Sequence, residues 1–284
     1  MFRLGYNTNG LAHHRLPDAL HLLAEFGYEG VALTPDVGQL DPYRLDPAEV
    51  ADTRALAGEL GLALAIETGA RFLLDARRKH RPSLMDEDPI GRARRIDLYR
   101  RCLDLAAELG AEVLSLWAGE APDGSTVEGG GEPRLLDRLA EGLVPVLDHA
   151  RGSGVRVGLE PEPGMFVERP AGYLALVEHL GSAGDELGLT LDVGHLLVTG
   201  DTPVDEQVRA LAPRLVHVHL DDIRGGEHRH RMFGEGDLDL PATLAALVEV
   251  GFEGMAAVEL SRDSHRGAWA AREAMERLRA ALAG

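Results

Sequence analysis

Four side chains able to hold a cation stand where apolar runs of the sequence end. Glu160 closes VGLE, Asp192 closes LTLD, His219 lies near the end of VHVHL and Glu259 near the end of AAVEL. A charged group inside an apolar run is costly to bury without a partner. Any one of them has a bland account, since an aspartate at a strand end often caps the next helix. Four on four consecutive runs, each near the C-terminal end, are hard to explain that way. Two glutamates, an aspartate and a histidine form a mixed carboxylate–imidazole set suited to Mn, Co, Mg, Fe or Zn. His217 and His219 are two residues apart and share a strand face. The later one is assigned as the ligand and His217 as a buried, hydrogen-bonded neighbour.

The elements that position these residues are legible as a repeat. Eight short apolar runs occur, at 2–7 (FRLGYN), 31–34 (VALT), 62–68 (LALAIET), 113–117 (VLSLW), 155–160 (VRVGLE), 187–192 (LGLTLD), 215–220 (LVHVHL) and 255–260 (MAAVEL). They are mostly apolar on both faces, the pattern of strands buried in a parallel sheet. Amphipathic segments separate them, at 16–26, 46–60, 89–109, 134–150, 173–180, 205–211, 241–250 and 268–282. Gly27, Gly61, Gly110, Gly154 and Gly251 each follow a helical run and lead into a strand, as helix-ending glycines do. Eight strands alternating with eight helices predict a single (β/α)8 barrel over residues 1–284, with no linker. No glycine fingerprint follows the first strand, so a dinucleotide fold is not expected, and no Walker loop or Gly-x-Ser-x-Gly elbow is present.

Successive strand ends of such a barrel converge above its axis. Two long loops follow strands and belong to that face. Residues 69–88 carry Arg71, Arg77, Arg78, Lys79, His80 and Arg81, which form a candidate clamp for a phosphate or carboxylate. Residues 221–239 carry His228 and His230. Loops of this length in a compact domain usually have a function.

Composition narrows the partners. The formal charge is −18, with 47 acidic against 29 basic residues, a field that repels nucleic acid and anionic lipid. No nucleic-acid or membrane partner is expected, and self-association is left open. The one cysteine, Cys102, excludes an internal disulfide and a cysteine-based metal site. The start of the chain carries no apolar run of signal-peptide length, and a cytoplasmic location is expected.

The segments LEPEPG, LDVGH, HVHLDD, FGEGDLDL and VELS, in this order and spacing, resemble the xylose-isomerase-like barrel superfamily. That group contains sugar and sugar-phosphate isomerases and epimerases, inosose dehydratases and the endonuclease IV repair enzymes. The resemblance implies the same four ligands, with Glu160 and Glu259 also moving protons on opposite faces of a carbon beside a carbonyl. It implies substrate contacts for Glu162 and His195. It also matches His228 and His230 to the residues before the Gly-Glu-Gly of endonuclease IV, so His195, His228 and His230 form either a second metal site or a substrate contact. Gly234 and Gly236 are expected to turn the chain so that Glu235 comes under the site. Strand three ends instead in Glu67 and strand four in LWAGE, without the histidines of endonuclease IV, which argues against a three-zinc cluster. Glu67, Trp117 and Arg71 join Glu162 as candidate substrate contacts.

The resemblance therefore implies a divalent-metal-dependent isomerase or epimerase whose partner is a small sugar, sugar phosphate or related polyol, working through a metal-stabilised enediolate. That chemistry requires one divalent ion, with a second left open. The alternatives are a metal-dependent dehydratase of a cyclic polyol and a zinc-dependent phosphodiester hydrolase of the endonuclease IV type. A barrel that has lost its activity is disfavoured by the retention of all four ligands.

Overall fold

The structure, a computed structural model, describes residues 1–283. Among these residues there are eight strands: β1 (Arg3–Asn7), β2 (Gly30–Leu33), β3 (Ala63–Glu67), β4 (Val113–Trp117), β5 (Arg156–Glu160), β6 (Leu187–Asp192), β7 (Leu215–Leu220) and β8 (Met255–Val258). They close into a barrel in chain order, β1 to β8 and back to β1. Neighbouring strands pair in parallel, with Trp117 opposite Glu160, His219 opposite Ala257 and Tyr6 opposite Val258. Each predicted run overlaps a strand. Nearly every strand residue is buried, as continuous apolar runs in a parallel sheet require.

The helices are α1 (Leu16–Phe26), α2 (Pro47–Glu59), α3 (Pro89–Leu109), α4 (Pro133–Ala150), α5 (Pro170–Leu180), α6 (Val193–Thr199), α7 (Val204–Leu211), α8 (Leu240–Glu249) and α9 (Gly267–Ala283). Prolines open several of them, where a missing N–H costs nothing. The five glycines expected to stop helices all have φ between +66° and +90°. At Gly27 and Gly110 the left-handed residue is itself the helix cap.

Helix α6 was not predicted. It follows β6 with no intervening loop, and its seven residues are too few to show a period. Its local signal is chemical: the Asp192 carboxylate accepts from the His195 N–H at 2.9 Å and caps the first turn.

Two compact units are present. One comprises Met1–Leu33, Thr53–Ala65 and Thr190–Gly284, and the other Thr34–Asp52 and Ile66–Leu189. No helix among the described residues is long and apolar enough to cross a membrane.

Candidate functional site

In the first unit, three of the expected ligands meet. Ligand atoms of Asp192, His219 and Glu259 all lie within 4.8 Å of one another. His219 Nδ1 is 3.1 Å from Glu259 Oε2 and 3.8 Å from Asp192 Oδ2. Asp192 ends β6, His219 lies one residue before the end of β7, and Glu259 follows β8 directly. Asp192 and His219 are each 1% exposed, while the Glu259 side chain is 15% exposed. The Glu259 main chain is fixed by its N–H bond to Leu220 O at 3.0 Å. Asn9, just after β1, donates its Nδ2–H to Glu259 Oε1 at 2.8 Å. One Glu259 oxygen is thus held by an amide while the other faces the imidazole. His217 is fully buried, and its ring stands edge-on to that of His219, 5.1 Å between centroids.

A second cluster in the same unit contains the three other candidate histidines. Ligand atoms of His195, His228 and His230 lie within 4.8 Å of one another, as do those of Asp192, Asp221 and His230. The Nε2 atoms of His195 and His228 are 3.1 Å apart. His230 Nδ1 is 2.8 Å from Asp221 Oδ2. Burial lowers the His228 pKa, and the neighbouring His230 lowers it further, which favours the neutral imidazole a cation requires. Burial also opposes charge on His230, but Asp221 and Glu259 outweigh it and raise its pKa well above the ordinary value.

The loop that delivers His228 and His230 is tied to one carboxylate. Asp222, fully buried, accepts N–H bonds from Ile223 and Leu238 on Oδ1 and from Gly234 and Gly236 on Oδ2, all between 2.8 and 2.9 Å. The two glycines therefore serve Asp222. A Cβ at Gly236 would stand 2.3 Å from Asp222 Oδ1, and Gly234 has φ +79°. The expectation that they carry Glu235 under the site is corrected, because the Glu235 side chain is exposed. The turn aims the backbone N–H groups of both glycines at the buried Asp222 carboxylate.

In the second unit, Glu67 and Glu160 end β3 and β5 and are each 4% exposed. Trp117 ends β4, is 8% exposed, and packs edge-on against His80 at 5.1 Å between centroids. Glu162 is half-buried in the loop after β5, its N–H bonded to Val167 O at 3.1 Å. Arg71 is exposed, and its carbonyl accepts from the His80 N–H at 2.7 Å. Not all of the basic loop is available to an anion. Arg78 pairs with Asp75 at 2.7 Å, and Arg81 pairs with Asp86 at 3.3 Å and Glu120 at 3.1 Å. Burial, with Lys79 and Arg95 nearby, lowers the His80 pKa to about 4.

The donor set suits a divalent cation. It joins hard carboxylate oxygens to an imidazole, among buried carboxylates whose charge needs compensation. Asp221 adds an independent sign, being fully buried with no hydrogen-bond partner on Oδ1. Asn9, Asp221 and Asp222 were not singled out from sequence. For the aspartates a signal was present, since HVHLDD places two acids directly after a buried strand. For Asn9 there was none, because its partner lies 250 residues away.

A model of the xylose isomerase-like TIM barrel matches residues 20–281, and the chain belongs to that family. Xylose isomerase of Thermus caldophilus is 30% identical over 273 residues, covering 88% of this chain and 67% of its own. The 3-dehydroshikimate dehydratase of Pseudomonas aeruginosa is 28% identical over 278 residues, covering 94% of this chain and 39% of its own. Across the curated relatives compared, the match spans 39% to 68% of their lengths, and 56% of the first, an uncharacterised protein of Methanocaldococcus jannaschii. D-allulose 3-epimerase from Methylomonas sp., solved in complex with D-allulose, superimposes with a TM-score of 0.77 at 19% identity, covering 98% of this chain and 96% of that one. At that identity the likeness is one of fold.

Proposed function

We propose that this chain is a divalent-cation-dependent isomerase or epimerase of a sugar, sugar phosphate or related polyol. The observation that carries this reading is the meeting of Asp192, His219 and Glu259 ligand atoms within 4.8 Å at the ends of consecutive strands. Glu160, at the same end of the preceding strand, is the proposed fourth ligand. A bound cation supplies Lewis acidity, polarising the substrate carbonyl and stabilising the negative charge of the enediolate.

The protein's own groups supply the rest. Glu160 and Glu259 are the proposed proton-moving pair. One carboxylate takes the proton from the carbon beside the carbonyl, and the other returns a proton to the opposite face. The Asn9 amide on Glu259 Oε1 keeps that carboxylate from rotating, so its second oxygen stays directed at the site. Asp192 and His219 hold the ion. Glu162 orients the substrate, with Glu67, Trp117 and Arg71 as further contacts. His195, His228 and His230, with ligand atoms within 4.8 Å, are proposed to hold a second ion.

The dehydratase relative supports a second reading, in which the same enolate expels a β-hydroxyl from a cyclic polyol. Incubation with D-allulose, D-xylose and 3-dehydroshikimate in deuterium oxide separates the two. Isomerase or epimerase chemistry leaves deuterium on carbon with no water lost, whereas the lyase forms a double bond and releases water. Full turnover by protein stripped of metal with a chelator would overturn both readings.

A further inference from the structure

We propose that Asp221 is a positioning residue of a second divalent-cation site formed by His195, His228 and His230. The inference deepens the proposed binuclear reading above and rests on it. Three imidazoles supply nitrogen ligands but no negative charge, and a buried dication among them needs an anion close by. Asp221 supplies one, beside Asp192, whose Oδ2 is 3.7 Å from His195 Nε2. Asp221 is fully buried, and its Oδ2 lies 2.8 Å from His230 Nδ1. That contact holds the proton on Nδ1 and leaves Nε2 as the atom His230 offers to a cation. A carboxylate on the far nitrogen of a ligand histidine fixes ring and tautomer and makes the ligand more basic.

Two further observations point the same way. His195 and His228 face each other through Nε2 at 3.1 Å, a separation that two nitrogens on one ion can take when each bond is about 2.1 Å. The other Asp221 oxygen, Oδ1, is buried with no hydrogen-bond partner. A buried carboxylate with half its acceptor capacity unused is expensive, and a nearby dication removes that cost.

Gly194 makes room for this arrangement. A Cβ there would meet Asp221 Oδ1 at 2.2 Å and Oδ2 at 2.6 Å. No side chain larger than hydrogen fits without driving the carboxylate off His230. The glycine in LDVGH is therefore a steric condition for the Asp221–His230 contact, and substituting it offers a second way to disturb that contact from a different element.

The test is zinc binding by calorimetry on chelator-treated full-length chain, with metal content per chain read by mass spectrometry. The expected result for the unaltered protein is two ions per chain. Asp221→Asn keeps the shape and removes the charge, and Asp221→Ala removes both. Each should weaken the second ion roughly 10- to 100-fold and leave the first unchanged. Gly194→Ala should weaken the same ion, and retention of the first ion in all three variants reports that the fold is intact. His219→Gln should weaken the first ion, which identifies which event is which. Second-ion affinity unchanged in Asp221→Asn, Asp221→Ala and Gly194→Ala, with two ions still bound, would overturn the role of Asp221 and leave the binuclear reading standing. One ion per chain in the unaltered protein would overturn both.

Discussion

At the scale of single residues, the proposed roles differ: Asp192 and His219 hold an ion, while Glu160 and Glu259 also move protons. Glu259 is asked to do both, and Asn9 is attached to one of its oxygens at 2.8 Å. Glu259→Gln keeps an oxygen near the ion but cannot take up a proton. We expect solvent deuterium incorporation to fall by about 10²- to 10⁴-fold, with the ion still bound by calorimetry. Asn9→Ala leaves the carboxylate in place but free to rotate. We expect a smaller loss, about 10-fold in kcat with KM little changed, in the same exchange assay. Residues at this scale were legible in sequence when a polar group interrupted an apolar run, as Glu160, Asp192, His219 and Glu259 do. Asn9 interrupts nothing, and no local pattern marks it. Asp221 lies two residues past His219, which was marked, but its role depends on His230, which arrives from further along the same loop.

At the scale of elements, the eight strand runs were readable because burial on both faces imposes continuous apolarity. The loops were readable only as long and charged. What organises the loop after β7 is a buried anion gathering four N–H groups, and no periodicity records that. Asp222→Asn replaces an acceptor-only group with one that also donates, so two of those N–H groups lose their partner or meet another donor. We expect a loss on the order of 2–3 kcal/mol by chemical denaturation, with backbone amides of residues 223–238 exchanging faster than those of the strands. The loop after β3 has a different sensitivity. His80 has its pKa lowered to about 4, so between the ordinary value of 6.5 and about 4 the unfolded chain binds the extra proton. Stability is then fully present above pH 6.5 and is lost as pH falls toward 4. His80 has φ +58°, a conformation asparagine tolerates, so His80→Asn should flatten that part of the stability–pH curve without breaking the turn.

At the scale of the whole molecule, the chain concentrates negative charge. The net charge of −18 sets a background that attracts cations. Buried carboxylates at strand ends repel one another when no counter-ion is present, so ion loading should act on global stability. At free Mn²⁺ of about 100 times the Kd, the gain is about 2.7 kcal/mol, or a Tm rise of about 5–10 °C over chelator-treated protein. A scan with no shift would count against the ligand assignment. Asp192 gives this linkage a local address. One of its oxygens closes the first turn of α6 through the His195 N–H at 2.9 Å, and the other stands 3.8 Å from His219 Nδ1. A single carboxylate therefore belongs to a helix and to the proposed ion-binding cluster at once. Whatever steadies it on the ion side also steadies the helix, so the His195 amide proton is a built-in gauge of occupancy. Its exchange rate, followed during a titration, would read the filling of the site from a group that never touches the metal.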